Sequence, residues 1–544
     1  MSASLSRVGV VGLGTMGAGI AEVLARGGYD VVGVEVNDDA LQRGRGHLEK
    51  STGRAVRRGR LSEAERQAIL GRVALDTSFA ALADCDLVIE AVPERLDLKR
   101  RVFEELDKVC RPGAVLATNT SSLSVTEIAA ATDRPAQIVG VHFFNPAPVM
   151  RLVEIIHTVL TRPEALRAVQ DLVGGLGKVG VTVGDRAGFI ANRLLFGYLN
   201  QAAAMYDSGH ATREDIDAAM KAAGLPMGPL TLMDLIGLDV SLEVCEAIHR
   251  ETRDRRHAPA PILRRLVTAG LLGRKTGRGF YTYDEPAAET GPETVEAPSV
   301  GVAGSGPLAI AIIRAALRAG ADVRFVADDD DKVRAVRDAV GEKAAGGTDL
   351  ALLSDRDLVV EAVAGDLAVK RSLLAAVGDV ARESAVLATT VATTPVIEPA
   401  MATDRPQDVV GLHLPDPEGE LVELVPTVLT GPDVLARAED HLVRLGKHPV
   451  RSADRAGFIV DALRVPYLND AVRLLEAGYA DADAIDAAMT YGCGYPIGPI
   501  ADLDRIGLGH AVEVLRALYA EYREPAFAPA PLLDRLRTAG GTFR

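Results

Sequence analysis

Residues 7–28 read RVGVVGLGTMGAGIAEVLARGG, a strand-like apolar run that leads through a glycine turn into a helical pattern. Gly12, Gly14 and Gly17 give the spacing G-x-G-x-x-G, and Glu35 ends the next apolar run about 20 residues further on. Such glycines let the backbone approach a pyrophosphate at the helix N-terminus, while the carboxylate accepts ribose hydroxyls and repels a 2′-phosphate. The stretch therefore predicts a Rossmann-type domain that binds NAD; a structural tight turn or another nucleotide is the alternative.

The chain repeats one pattern twice, at an offset close to 270 residues. The segment CDLVIEAVPERLDLK begins at residue 85 and recurs as RDLVVEAVAGDLAVK from residue 356. HAPAPILRRLVTAG (257–270) returns as FAPAPLLDRLRTAG (527–540). Because self-similarity at a fixed period indicates a repeated structural unit, the chain is predicted to be two copies of one unit.

Within each unit the pattern changes once. Short Val, Ile and Leu runs alternate with helical periodicity, as is typical of a parallel sheet with helices on both faces, and a nearly strand-free helical part follows. The predicted fold class is an α/β Rossmann-type domain plus an all-α helical domain, the pair duplicated in tandem. The predicted domains are 1–185 (NAD-binding Rossmann), 186–283 (helical), 284–298 (linker), 299–454 (degenerate Rossmann-like) and 455–544 (second helical).

Composition and charge argue against several function classes. The net charge of −15 argues against nucleic acid or an anionic membrane as the main partner, because both attract basic surfaces. No run approaches the ~18 uninterrupted apolar residues of a membrane span, and no signal-peptide pattern is seen, so a cytoplasmic location is expected. The cysteines lack metal-ligand spacing, so buried reduced thiols and no metal are expected at Cys85, Cys110, Cys245 and Cys493.

A histidine and a glutamate stand out in the apolar run GVHFFNPAPVMRLVEI (140–155). His142 follows a strand-like run, which predicts that it lies at the carboxyl end of a strand, where ligands bind in open α/β sheets. Oxidation of a secondary alcohol needs a base for the hydroxyl proton while a cofactor takes the hydride, and a histidine oriented by a carboxylate such as Glu154 supplies one. A packed structural histidine is the alternative.

Residues 6–283 contain, in order, the segments GLGTMGAGIAEVLA, EAVPERLDLK, ATNTSSLSVTEIA, GVHFFNPAPVMRLVEI, GFIANRLL, GLPMGPLTLMDLIG and GRKTGRGFY. Together these resemble the L-3-hydroxyacyl-CoA dehydrogenase family of the β-oxidation type. The resemblance implies NAD-dependent, reversible oxidation of (S)-3-hydroxyacyl-CoA, with His142 as base, Glu154 as its orienting carboxylate, and Ser121 and Asn192 as partners of the substrate oxygen. The implied cofactor contacts are Gly12, Gly14, Thr15, Met16, Gly17, Glu35, Ala91, Glu94, Lys99, Asn119, Ser121, Asn145 and Lys275.

A basic segment, residues 44–65, lies between the second strand-like run and the next. The resemblance implies an arm that binds the phosphates of coenzyme A, with Lys50 as the best-matching contact and Arg54 and Arg57 beside it; Ser121 is expected to touch the same substrate. A solvated helix face is the alternative for the arm, and a helix cap is the alternative for Ser121.

The second unit keeps only part of this pattern. It retains Gly304, Gly306, Ala309 and Asp328 at the glycine turn, and His413 and Glu423 in GLHLPDPEGELVEL (411–424). Ser121, Asn145 and Asn192 are replaced by Ala392, Asp416 and Asp461, and the basic arm and GRKTGRGFY have no counterpart. One active site, in the N-terminal unit, is therefore predicted. The second unit is interpreted as the partner in an intrachain pseudo-dimer of helical domains, with further homo-oligomerisation left open.

Three alternatives stay open at this point. The phenylacetate-pathway type, which acts on 3-hydroxyadipyl-CoA, also carries an incomplete second copy. A free hydroxyacid dehydrogenase of the L-gulonate type shares the His–Glu pair, but the basic arm argues against it. An NAD-binding regulatory or structural module is the non-enzymatic interpretation of the second unit.

Overall fold

The computed structural model describes residues 5–283, 296–365 and 367–544, which form two β-sheets and two helical domains. Residues 284–295 of the predicted linker 284–298 lie outside the described residues. The predicted fold class, a Rossmann-type domain and a helical domain duplicated in tandem, is confirmed.

The first sheet has eight strands in the order β3-β2-β1-β4-β5-β6-β7-β8. They are β1 (Arg7–Val11), β2 (Asp30–Val34), β3 (Val73–Asp76), β4 (Leu87–Glu90), β5 (Val115–Thr118), β6 (Ile138–Phe143), β7 (Leu152–His157) and β8 (Val179–Gly184). The sheet is parallel except at one pair, since β6 and β7 run antiparallel. A short connection can join antiparallel strands, whereas a parallel pair needs a long crossover.

The helices of the first unit cover that sheet and then form a separate bundle. Around the sheet lie α1 (Thr15–Arg26), α2 (Asp38–Arg57), α3 (Glu63–Gly71), α4 (Leu96–Val109), α5 (Val125–Ala129) and α6 (Pro163–Gly175). The helical domain contains α7 (Ala191–Asp207), α8 (Arg213–Ala222), α9 (Pro229–Ile236), α10 (Leu238–Thr252) and α11 (Pro261–Thr268). The basic segment forms most of α2 and the start of α3, where the Ser62 hydroxyl accepts from the Glu65 amide in a capping box.

The second sheet repeats the first, in the order β11-β10-β9-β12-β13-β14-β15-β16. Its strands are β9 (Val300–Ala303), β10 (Val323–Val326), β11 (Ala345–Gly347), β12 (Leu358–Glu361), β13 (Val386–Thr389), β14 (Val409–His413), β15 (Leu421–Pro426) and β16 (His448–Arg451). The helices are α12 (Pro307–Arg318), α13 (Asp330–Val340), α14 (Leu367–Val380), α15 (Ile397–Ala400), α16 (Pro432–Arg444), α17 (Val460–Glu476), α18 (Ala482–Ala487), α19 (Pro499–Ile506), α20 (Leu508–Tyr522) and α21 (Pro531–Ala539). The single helix α13 stands where the first unit has α2 and α3, so the basic arm is absent from the second unit.

The two helical domains contact each other along α7 and α17. Leu199 on α7 and Leu468 on α17 are fully buried and belong to one continuous apolar cluster. The rings of Tyr198 and Tyr467 lie 6.0 Å apart across the same contact. Burying apolar faces removes them from water, and this is the main favourable term in such packing. The cluster therefore joins residues that are far apart in the chain into one core.

Two predictions concern the cysteines, expected to be buried reduced thiols, and the absence of a membrane-spanning segment. Cys85, Cys110 and Cys245 are buried free thiols, while Cys493 is partly buried. Burial raises the pKa of Cys85 and Cys110 to about 11, so both stay protonated near neutral pH. In the part of the chain that the structure describes, no helix is long and apolar enough to cross a bilayer.

Because the helical domains share one core, damage to one is expected to loosen the other. Leu468→Ala removes a buried side chain and is expected to cost about 2–5 kcal/mol of unfolding free energy. Thermal unfolding and hydrogen exchange of peptides from both α17 and α7 measure the effect. Val428→Ala, at a residue that is 91% exposed, is the control. Faster exchange confined to residues 455–544 would contradict a shared core.

Candidate active site

The antiparallel pairing of β6 and β7 sets His142 directly opposite Glu154. His142 Nδ1 lies 2.8 Å from Glu154 Oε2, and the carboxylate is fully buried. Its other oxygen, Oε1, accepts the backbone N–H groups of Ile190 and Ala191 at 3.0 Å each, at the start of α7. With Nδ1–H donating to the carboxylate, Nε2 is the ring nitrogen left to accept a proton. The geometry is that of an oriented general base.

Two aromatic rings flank the His142 imidazole. The centroid of Phe144 lies 4.5 Å from the imidazole centroid, and that of Phe189 lies 5.7 Å away. The Asn119 side-chain oxygen accepts the Phe143 N–H at 2.8 Å, which joins the end of β5 to the strand that carries His142. The ring is therefore held by packing as well as by its bond to the carboxylate.

Ser121 lies in a turn after β5 that Glu94 holds in place. One Glu94 oxygen, Oε1, accepts from the backbone N–H of Ser121 at 2.8 Å and from its hydroxyl at 3.2 Å. The same oxygen accepts from the hydroxyl of Thr120 at 2.7 Å. Burial opposes ionisation of Glu94, but the Lys99 charge and these hydrogen bonds outweigh it and lower its pKa. Glu94 is thus a carboxylate that orients the Ser121 turn.

Asn192 is the link between this turn and the helical domain. Its side-chain Nδ2 donates to the Ser121 carbonyl at 3.4 Å, and the preceding residue, Ala191, donates to Glu154. The start of α7 therefore contacts both the Ser121 turn and the His142–Glu154 pair, near the carboxyl ends of β5 and β6. Ligands bind at such strand ends in open α/β sheets.

The glycine turn fits a dinucleotide. Gly12 has φ +86°, and a Cβ on Gly17 would lie 1.7 Å from the Gly12 carbonyl oxygen, so both positions require glycine. Nothing lies within 4 Å of a Cβ placed on Gly14, at the N-terminus of α1, where a pyrophosphate would sit. The Glu35 carboxylate accepts the Leu13 N–H at 2.6 Å.

A cleft of about 920 Å³ extends from the glycine turn. Its lining includes Gly12, Gly14, Thr15, Met16, Glu35 and Ala91 from the predicted set. It also includes residues that were not predicted, among them Arg43, His47, Thr77, Phe79, Leu98 and Arg101. These come from α2, α4 and the loop after β3, and they carry no motif, so no local sequence signal marks them.

Seven predicted cofactor residues are not among the residues that line this cleft: Gly17, Glu94, Lys99, Asn119, Ser121, Asn145 and Lys275. The Lys99 ammonium is buried and bonded to Glu90 at 2.7 Å, which places it behind the site. Lys275 pairs with Asp239 at 2.5 Å in the helical domain. Asn145 is exposed on the loop between β6 and β7. Their contact with a bound cofactor stays a prediction.

Part of the basic arm lines a second cleft, of about 230 Å³. Arg54, Arg58 and Arg60 lie on one side of it and residues 146–149 of the β6–β7 loop on the other. Arg26, at the end of α1, also lines the cleft and was missed, because it is distant from the arm in sequence. Lys50 and Arg57 are exposed on α2 and are not among the lining residues.

The matching histidine of the second unit has different surroundings. His413 Nδ1 makes a short contact with Glu423, and its Nε2 lies 3.6 Å from Asp461, which replaces Asn192. Asp461 also pairs with His510 Nε2 at 2.9 Å. Burial opposes charge on His413, but the bond to Glu423 and the charges of both carboxylates outweigh it and raise its pKa. Both sides of this imidazole therefore favour the protonated form.

The nucleotide turn of the second unit also differs. Gly304 keeps a positive φ, but Ala309 stands in place of Gly17, and Asp328 pairs with Lys332 at 2.5 Å. In the first unit, by contrast, the Glu35 carboxylate bonds to the backbone of the glycine turn. Asp328 thus pairs with Lys332, whereas the equivalent Glu35 bonds to its glycine turn.

Comparison with known proteins identifies two domain families, each found twice in the chain. Residues 7–186 and 337–455 match the family described as 3-hydroxyacyl-CoA dehydrogenase, NAD binding domain. Residues 188–283 and 457–542 match 3-hydroxyacyl-CoA dehydrogenase, C-terminal domain.

Individual relatives match either the whole chain or one unit. The 3-hydroxyadipyl-CoA dehydrogenase of Escherichia coli K12 is 32% identical and is covered over 98% of both chains. The 3-hydroxybutyryl-CoA dehydrogenase of Mycobacterium tuberculosis H37Rv is 46% identical over 52% of this chain and 100% of its own. A crystal structure of 3-hydroxybutyryl-CoA dehydrogenase from Escherichia coli K12 has a TM-score of 0.77 at 30% identity and covers 99% of both chains.

A methyl group at Gly14 is expected to block a dinucleotide without disturbing the fold. Gly14→Ala introduces a Cβ into open space at the N-terminus of α1, so the melting temperature should stay unchanged while NADH binding weakens about tenfold or more. Fluorescence titration with NADH measures this. Gly174→Ala, equally unobstructed in α6, is the matched control. Equal NADH affinity in both variants would show that the pyrophosphate lies elsewhere.

Proposed function

The chain belongs to the 3-hydroxyacyl-CoA dehydrogenase family, and we propose that it oxidises (S)-3-hydroxyacyl-CoA to 3-oxoacyl-CoA, reversibly and with NAD, at one site in its N-terminal unit. The observation that carries the proposal is the His142–Glu154 pair, bonded at 2.8 Å beside Ser121 and Asn192. The His142–Glu154 pair and Ser121 lie in the same Rossmann domain as a glycine turn that fits a dinucleotide, and Asn192 comes from the helical domain.

The proton moves through His142. Its Nε2 accepts the proton of the substrate 3-hydroxyl group, and the nicotinamide, when bound, provides the acceptor for the hydride from the same carbon. Glu154 accepts hydrogen bonds on both oxygens, and its carboxylate stabilises the imidazolium that forms. In the reductive direction His142 returns this proton to the carbonyl oxygen.

Ser121 and Asn192 bind the reacting oxygen. The Ser121 hydroxyl and the Asn192 amide come from different domains, so they converge on the substrate only when the helical domain lies against the sheet. Glu94 supports the Ser121 turn by accepting its backbone N–H, while the hydroxyl, which donates to Glu94 at 3.2 Å, turns from the carboxylate to donate to the substrate oxygen. Asn192 has a second amide proton for the same oxygen, and such donors stabilise the negative charge that develops there.

The basic cleft is assigned to the coenzyme A half of the substrate. Arg26, Arg54, Arg58 and Arg60 supply guanidinium groups, which bind phosphate oxygens well because of their planar, multiply donating geometry. Lys50 and Arg57, exposed on the same helix, are proposed as outer contacts. A free hydroxyacid would have no use for this cleft.

The second unit is proposed to be catalytically silent. A general base must be unprotonated before it reacts, but His413 is flanked by Glu423 and Asp461, and its pKa is raised. Ala392 cannot supply the hydroxyl of Ser121. The contacts of α7 with α17 support a role as the intrachain pseudo-dimer partner of the first helical domain. A cytoplasmic location stays a prediction.

A dicarboxylic acyl chain is the second candidate substrate. A relative that matches both units is named a 3-hydroxyadipyl-CoA dehydrogenase, whereas a solved structure that also covers both units is titled 3-hydroxybutyryl-CoA dehydrogenase. Comparison of kcat/KM for 3-hydroxybutyryl-CoA and 3-hydroxyadipyl-CoA decides between them.

The histidines of the two units are expected to differ in effect. His142→Gln should lower the rate of NADH oxidation with acetoacetyl-CoA by about 10²- to 10⁴-fold, since it removes the base. NADH binding should be unchanged. His413→Gln should keep about half of the activity or more. If His142→Gln kept a substantial rate, His413 would have to be a working base, and the single-site proposal would fail.

Loss of a guanidinium from the basic cleft is expected to affect only substrates that carry the coenzyme A phosphates. Arg54→Ala should raise the KM for acetoacetyl-CoA several-fold and leave kcat nearly unchanged, because it removes binding that is equal in the ground and transition states. The control is the acetoacetyl thioester of N-acetylcysteamine, which has no phosphate. Equal KM changes for both thioesters would contradict the assignment.

A further inference from the structure

The second unit has one local feature that its first-unit counterpart lacks. After α18 the chain forms a π-helical turn, Ala488–Gly492, whereas the matching helix α8 runs as a regular helix to Ala222. Single π-helical turns inside helices are rare and occur frequently at functional sites. This π-turn packs on β7, the strand of the first unit that carries Glu154.

The contact is close because residue 492 has no side chain. Gly492 is buried, and a Cβ placed on it would lie 2.5 Å from Leu152 Cδ2 and 3.3 Å from Phe144 Cε1. Beside it, the Arg151 guanidinium lies 4.6 Å from the centroid of the Tyr491 ring, a cation–π contact between the two units. The π-turn therefore packs directly on the first unit, with Gly492 and Tyr491 in contact with its residues.

Phe144 connects the π-turn to the base. One side of its ring faces Gly492, and the ring centroid lies 4.5 Å from that of the His142 imidazole. The hydrogen bond to Glu154 holds the imidazole at Nδ1. Phe144 and Phe189, whose centroids lie 4.5 Å and 5.7 Å from the imidazole centroid, restrict the ring further by packing.

The equivalent contact of the first unit on the second has neither a π-turn nor a ring that corresponds to Phe144. Helix α8 of the first unit packs on β15 and β16 of the second, in the pseudo-symmetric position. There the residue at the register of Gly492 is Ala223, and Pro415 replaces Phe144. The π-turn and the Phe144 ring are thus both present at the contact next to His142, and both are absent from the equivalent contact next to His413.

We propose that the second unit forms one wall of the first unit's active site, with Gly492 as a positioning residue that lets the π-turn hold Phe144 against His142. The proposal rests on the function proposed above and adds a reason why a unit without its own complete site is kept. The position of a reacting group strongly affects the reaction rate, since a misplacement of about 1 Å can lower the rate about 10²-fold.

The test substitutes Gly492 in the full-length protein. Gly492→Val places a branched side chain against Phe144 and Leu152 and is expected to lower kcat about tenfold or more, while the KM for NADH changes less than about twofold. The pH profile of kcat should also change, because the surroundings of the base are altered. Gly509→Val is the matched control, since nothing lies within 4 Å of a Cβ at this exposed position of the same domain.

A double-mutant cycle separates positioning from simple destabilisation. Phe144→Leu makes room for the new side chain, so Gly492→Val combined with Phe144→Leu should be more active than the product of the two single losses predicts, by about threefold or more. The proposal would be overturned if the activity losses of the two single variants simply multiplied in the double variant. It would also be overturned if kcat fell only in proportion to the unfolded fraction, with an unchanged pH profile.

A measurement independent of turnover keeps this proposal distinct from the proposed function. Hydrogen exchange of peptides covering residues 140–157 should be faster in Gly492→Val than in Gly509→Val. If the unmodified protein turned over no acyl-CoA, the proposed function would fail, and faster exchange in this segment would still support the wall contact. Unchanged exchange would overturn it.

Discussion

Both oxygens of the buried Glu154 carboxylate are used, and the bonds they accept join three separate parts of the chain. Oε2 orients His142 on the neighbouring strand, while Oε1 receives the first amides of α7. An unpaired buried charge is costly. The amides of α7 provide hydrogen bonds to the carboxylate, and the same bonds hold the helical domain against the sheet. The domain interface and the orientation of the base therefore depend on one group.

The second unit shows how much of this arrangement belongs to the fold. Glu423 receives the amides of Ile459 and Val460 and contacts His413, as Glu154 does in the first unit. The same contacts are thus present in the unit where Glu423 and Asp461 together raise the pKa of the histidine. A His–Glu pair at this position consequently belongs to the fold, and the proposed catalytic role of His142 depends on Ser121 and Asn192 beside it.

The apolar contact between the helical domains brings the two units together with a defined register. That register sets Tyr479 of the second unit against β8, where its hydroxyl donates to the Gly184 carbonyl at 2.8 Å, and sets the π-turn against β7. Helix packing fixes such contacts along the whole length of an interface. The second unit is therefore held against the strands that carry the proposed active site.

The sequence by itself determined the features that depend on local spacing. The glycine turn, the alternation of strands and helices and the position of His142 near a strand end follow from short-range patterns, because backbone conformation and strand alternation are set within a few residues. The repeat follows from comparing the sequence with itself. Tertiary structure decided everything that depends on distant residues meeting. The arrival of Arg26 beside Arg54 and the burial of Lys99 against Glu90 carry no local signal. The same holds for Gly492 against Phe144, since a contact between residues more than 300 positions apart is fixed only when both units are folded and packed.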